Sequence, residues 1–161
     1  MWFLLRLRNV LVGIGMAASM LLSGCVEPIT EYPASNPKLG TLAGKKEGTQ
    51  ITSTGQAGFL VFGPYVTLAA GSYRLVARGT LKGAEGAAQP LGVLDVIAFK
   101  GERTYVSRPL YGDEQAGEGN IAAVTFDLPK AVTDAEFRIQ VTAPASVVFR
   151  GYDLSKLNNL Q

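Results

Sequence analysis

From Gln56 onward the chain breaks into short apolar runs separated by turn signals every 8–12 residues, a spacing that restricts it to an antiparallel β-sandwich or barrel. The first run, 58–62 (Gly-Phe-Leu-Val-Phe), is broken at Gly63-Pro64 and continues over 65–68; Ala70-Gly71-Ser72 then turns the chain into 73–81. Further runs occupy 91–100, 103–108, 121–128, 136–142 and 147–154, with a tight hairpin expected at Gly101-Glu102. Alternation is clearest late in the chain. Phe137, Ile139 and Val141 share one face, and Glu136, Arg138 and Gln140 the other, as a half-buried strand requires. Downstream of residue 24 no capped segment of period 3.6 is visible, and only 153–160 offers a turn or two of helix. The expectation is an all-β antiparallel sandwich, jelly-roll-like, of about eight strands.

Jelly-roll and immunoglobulin-like topologies both remain open at this point, although the missing Cys…Trp…Cys pattern argues against a true immunoglobulin domain. The sandwich is placed at residues 56–161, preceded by two different segments. Arg6 and Arg8 lead an apolar run over 10–22, and Ser23-Gly24 then precede Cys25, the only cysteine. That run of about 13 residues falls short of the roughly 20 that cross a bilayer, so residues 1–24 read as a secretion signal. Leu22-Ser23-Gly24-Cys25 resembles the lipobox of bacterial lipoproteins. The resemblance implies a diacylglycerol on the Cys25 thiol, an acylated new N-terminus and attachment to a membrane. By the same resemblance, Val26 rather than aspartate after the cysteine points to the outer membrane, with the domain facing the periplasm. Residues 25–55 read as a tether followed by a weakly patterned segment. Pro28, Pro33 and Pro37 keep the tether extended over as much as about 40 Å. In 40–55 a single strand is expected near 50–52.

Composition then removes function classes. Without residues 1–24 the chain holds 137 residues with 13 basic and 13 acidic side chains, one ordinary domain of no net charge. No basic run exceeds Lys45-Lys46, so the dense positive footprint of a nucleic-acid binder is missing. There is no histidine, and the one cysteine is assigned to lipid. Ser-His-Asp and Cys-His nucleophiles and Cys- or His-based metal sites are thereby excluded. No cofactor is expected. In the loop 109–120, Asp113, Glu114, Glu118 and Asn120 offer oxygen ligands of the kind calcium takes, but their spacing does not fit an EF-hand, and the plainer reading is a solvated acidic loop.

The segment 58–75 (Gly-Phe-Leu-Val-Phe-Gly-Pro-Tyr-Val-Thr-Leu-Ala-Ala-Gly-Ser-Tyr-Arg-Leu) resembles the opening of β-sandwich modules of the carbohydrate-binding, galactose-binding-like kind. Compatible pieces at 94–96, 136–139 and 148–151 extend the resemblance over about residues 56–154. It implies fold more firmly than ligand. Physically, Gly63-Pro64 should bend the strand, Gly71 suits a turn with positive φ, and Tyr65 and Tyr73 read as amphipathic plugs at a sheet edge.

Glycan recognition needs planar donor and acceptor groups for hydroxyl pairs and rings for sugar faces. A sheet face presenting Arg74, Asp95, Tyr105 and Arg138 would supply them, with tyrosine as the stacking residue because Trp2 is lost with the signal. The plainer alternative is an ion pair in which Asp95 is satisfied by Arg138 or Arg74. The leading functional expectation is a lipid-anchored envelope protein with a non-catalytic domain that binds a surface polysaccharide. The alternative is an assembly lipoprotein that docks an envelope protein through its sheet face or edge. A hydrolase using carboxylates such as Asp95 and Glu136 ranks last.

Overall fold

The computed structural model describes residues 28–83, 89–112, 117–142 and 145–158. Cys25 and its signal lie outside the described residues, as do Asp113 and Glu114. Eleven strands and no helix are present among the described residues: β1 Thr30–Pro33, β2 Gly44–Glu47, β3 Gln50–Ser53, β4 Gly58–Val61, β5 Pro64–Leu68, β6 Gly71–Lys82, β7 Gly92–Ala98, β8 Arg103–Leu110, β9 Asn120–Leu128, β10 Val132–Val141 and β11 Ser146–Leu157. They form two antiparallel sheets packed as a sandwich. The six-stranded sheet runs β2-β3-β11-β6-β9, with β1 also paired to β11 beyond the end of β3. The five-stranded sheet runs β4-β10-β7-β8, with β5 taking over from β4 along the same edge of β10.

Period-two alternation sets which side chains meet between the sheets. From the six-stranded sheet Tyr73, Leu75, Ala77 and Leu81 of β6 and Val147, Phe149, Tyr152 and Leu154 of β11 are buried. Leu94 and Val96 of β7 and Phe137, Ile139 and Val141 of β10 face them from the other sheet. A chain of rings crosses the interior, edge-to-face from Tyr32 to Phe137 at 5.9 Å and to Tyr152 at 5.6 Å, then tilted onto Phe149 at 4.7 Å. Each such buried side chain contributes about 1.5–3 kcal/mol. β11 changes phase between Phe149 and Gly151, where a bulge lets Phe149 and Tyr152 both point inward. Opposite it, Gly79 approaches β11 so closely that a Cβ would sit 1.9 Å from the Val148 carbonyl oxygen.

Three expectations are corrected. The sandwich begins at Thr30, not near Gln56, because β1, β2 and β3 belong to the six-stranded sheet and Ala34, Leu39, Ala43 and Ile51 are buried in the core. These strands have four residues each and lie toward the sheet margin, so they present too few inward side chains to leave a periodic trace. The strand count rises accordingly from about eight to eleven. The chain between Cys25 and Thr30 then spans at most about 18 Å, rather than 40 Å.

The third correction concerns the β7–β8 hairpin, whose loop spans Phe99 to Glu102 and so begins two residues ahead of the expected Gly101-Glu102. Phe99 and Lys100 both have positive φ, 54° and 56°, as a type I′ turn requires. Neither is the asparagine or glycine that such a turn normally takes. The Asp134 carboxylate supplies the compensation, accepting hydrogen bonds from the Phe99 N–H at 3.0 Å and the Lys100 N–H at 2.9 Å. Those two N–H groups hold the Asp134 carboxyl below the ordinary carboxylate range. A carboxylate with a lowered folded pKa stabilises above its unfolded pKa, and the gain disappears as pH falls through the folded value. Asp134→Ala should therefore cost about 1 kcal/mol at neutral pH. Urea unfolding across pH should show the gap between variant and parent closing as the solution is acidified through the carboxylate range; a gap independent of pH would contradict this role.

Candidate ligand-binding face

With Phe137, Ile139 and Val141 turned inward, β10 must present Glu136, Arg138 and Gln140 on the outside of the five-stranded sheet. Its neighbours complete that face. Arg138 lies directly across from Asp95 of β7, and Asp95 from Ser107 of β8. On the other side Gln140 faces Phe59 of β4, and Glu136 faces Pro64 of β5.

Two contacts organise the centre of the face. Arg138 Nε donates to Asp95 Oδ1 at 2.8 Å and Nη2 to Oδ2 at 2.7 Å, a two-point geometry that only a guanidinium provides. Both side chains are largely covered, at 24% and 18% exposure. The hydrogen bonds to Asp95 raise the Arg138 pKa further above its already high value. The guanidinium carbon also sits 5.1 Å over the Phe59 ring, a cation–π contact. Phe59 meets Phe62 edge-on at 6.4 Å, and Phe62 lies so tightly on Gly40 that a Cβ there would be 2.3 Å from its ring.

The second contact joins Tyr65 to Glu136. The Tyr65 hydroxyl donates to Glu136 Oε1 at 3.2 Å, and the residue is 48% exposed. Its φ of 57° is left-handed, a conformation that costs a bulky residue on the order of 1–3 kcal/mol and concentrates at functional positions. Partial burial raises the Glu136 carboxyl above its ordinary range; the Tyr65 hydrogen bond and the Arg138 charge oppose the shift, and Asp95 and Asp134 add to it. Burial likewise raises Tyr65. The result is a half-exposed ring beside a carboxylate and a guanidinium–carboxylate pair, all on one open surface.

Of the four candidate residues, the structure joins Asp95 and Arg138, through the ion pair that was the plainer reading. Arg74 points outward from β6 of the other sheet, level with Thr125 and Ser155. Tyr105 lies at a bulge of edge strand β8, packed against the core beneath the Arg103 guanidinium. Its hydroxyl is buried without a hydrogen-bond partner. The outer side of the six-stranded sheet carries a separate cluster in which Arg78 approaches Asp153 at 3.0 Å and Glu31 at 3.8 Å. Tyr65 and Phe59, which the sequence places on strands without assigning them a partner, join the face only because β4 and β5 share the β10 edge. Among the described residues no group of three or more acidic, histidine or cysteine side chains is placed to hold a metal ion.

The worth of the Arg138–Asp95 pair can be measured directly. Arg138→Met leaves a partly buried carboxylate unpaired and should cost about 2–3 kcal/mol, whereas Arg138→Met with Asp95→Val should recover at least half of that loss. Chemical denaturation of the three variants reads this, and simple additivity of the single losses would contradict the pairing.

No protein-family model matches the sequence, and no curated protein matches it either. Among solved structures, the fold is similar to the C-terminal CBM6 of LamC, a marine laminarinase from Zobellia galactanivorans. The TM-score is 0.53 at 13% identity, over 80% of this chain and 100% of that one. It is also similar to the carbohydrate-binding module CBM6cm-2 of lichenase 5A from Cellvibrio mixtus, solved in complex with cellotriose, at TM-score 0.52 and 13% identity, over 83% of this chain and 99% of that one. At this identity the likeness is one of fold: this chain folds as the β-sandwich of those modules.

Proposed function

We propose that this chain is a non-catalytic glycan-binding protein of the bacterial envelope, held by lipid on Cys25, whose ligand lies on the outer face of the five-stranded sheet. The observation that carries the reading is Tyr65, a half-exposed ring in a strained backbone conformation, fixed by Glu136 beside the Asp95–Arg138 pair. A sugar ring stacks its C–H face on such a tyrosine while its hydroxyls exchange hydrogen bonds with the neighbouring carboxylate and amide groups. The shared fold with two carbohydrate-binding modules supports the reading. The lipobox-like Leu22-Ser23-Gly24-Cys25 supports the anchor, and Val26 supports an outer-membrane address facing the periplasm. With only 26–29 between Cys25 and β1, the sandwich would stand close to the membrane.

The test is affinity electrophoresis of the purified chain through gels containing envelope polysaccharide, comparing the parent with Tyr65→Ala. Retardation of the parent and at least a tenfold loss of affinity in the variant are expected. Retardation unchanged by Tyr65→Ala would overturn the assigned face. Co-purification of one envelope protein with no retardation in any gel would replace the reading by protein docking. The anchor has its own readout, incorporation of labelled palmitate that is lost in Cys25→Ser.

A further inference from the structure

The charges on the proposed face are unevenly committed. Both oxygens of Asp95 are engaged by the Arg138 guanidinium, and that guanidinium lies over the Phe59 ring. Arg138 can still donate to a ligand hydroxyl, but its charge is already balanced by Asp95. Glu136 differs: it is half-buried, and among the described residues it makes no ion pair and takes its side-chain hydrogen bond from the neutral Tyr65 hydroxyl. Asp134 lies two residues away on the same strand, satisfied by backbone N–H groups. Among the described residues an incoming ligand thus meets one carboxylate without an ion-pair partner, next to a stacking ring. An anionic sugar would face the Glu136 carboxylate while the Arg138 charge is taken by Asp95, and like charges at contact distance in a partly dehydrated site repel strongly. A neutral sugar can hydrogen-bond there but leaves the carboxylate without a counter-charge. An ammonium group supplies that charge through a hydrogen bond roughly twice as strong as a neutral one, and its ring face can still stack on Tyr65.

We infer that the face selects a cationic glycan, one carrying free amino groups as in an N-deacetylated hexosamine polymer, with Glu136 as the specificity-determining residue. This rests on the glycan-binding reading above and narrows its ligand class. The ammonium would sit against the Glu136 carboxylate on the side away from Tyr65 Oη. Acetylation of the sugar nitrogen would remove the charge and the preference together.

The experiment measures binding of the full chain to four soluble polymers at about pH 6, above the ordinary carboxylate range and where sugar amines are protonated. The polymers are chitosan, a chitin oligomer, hydroxyethyl cellulose and polygalacturonate. Chitosan should bind at least tenfold more tightly than the neutral polymers, and polygalacturonate should not bind. Glu136→Gln, which keeps the shape and the acceptor for Tyr65, should abolish the chitosan advantage over the neutral polymers. Glu47→Gln, on β2 of the opposite sheet, should change nothing; an equal loss there would show diffuse attraction and overturn the inference. Equal affinity for chitosan and the neutral polymers, or tighter binding of polygalacturonate, would overturn the inference while leaving glycan binding intact. Failure of every polymer would remove the glycan reading itself.

Discussion

Everything that positions the face depends on the register of β10. This strand is paired on both sides, to β4 and β5 along one edge and to β7 along the other. From Ala135 to Val141 its side chains alternate between the interior and the outer face. A slip of one residue would drive Glu136, Arg138 and Gln140 into the core and expose Phe137, Ile139 and Val141. Burial of even one unpaired charge costs several kcal/mol, and each displaced apolar side chain forfeits about 1.5–3 kcal/mol. The same alternation that closes the core therefore fixes where the polar face lies and in what order its groups occur.

The β10 pattern was legible in the sequence because three apolar and three polar residues alternate there without interruption. The all-β class and the sandwich followed from the same kind of signal in β6, β9 and β11. β1 to β3 were not legible, since Pro33, Lys45, Lys46 and Gln50 leave only Tyr32 and Ile51 as inward residues of any size in their twelve positions. The turn at Phe99-Lys100 was hidden for a different reason. Its positive φ angles are supported by Asp134, at a sequence separation of 34 and 35 residues, and local propensity favoured the adjacent Gly101.

The site divides in the same way. Asp95 and Arg138 stood out as charges inside alternating runs, and their pairing was one of the readings the sequence allowed. Arg74 and Tyr105 stood out equally, but which sheet a strand joins, and where a bulge falls, are properties of topology. Tyr65 and Glu136 are 71 residues apart in sequence, and only the shared edge of β10 brings them together. Neither residue type signals a partner at that distance. The strained φ of Tyr65 is likewise visible only in the folded chain.

The central claim is that ligand lies on the outside of the five-stranded sheet. Amide NMR of the chain titrated with a soluble glucosamine oligosaccharide tests it most directly. The account predicts shifts confined to Phe59, Tyr65, Asp95, Glu136, Arg138 and their immediate neighbours, with Arg74, Arg78 and Asp153 unmoved. Shifts centred on Arg74, Arg78 and Asp153 of the opposite sheet, with Tyr65 and Glu136 silent, would contradict it.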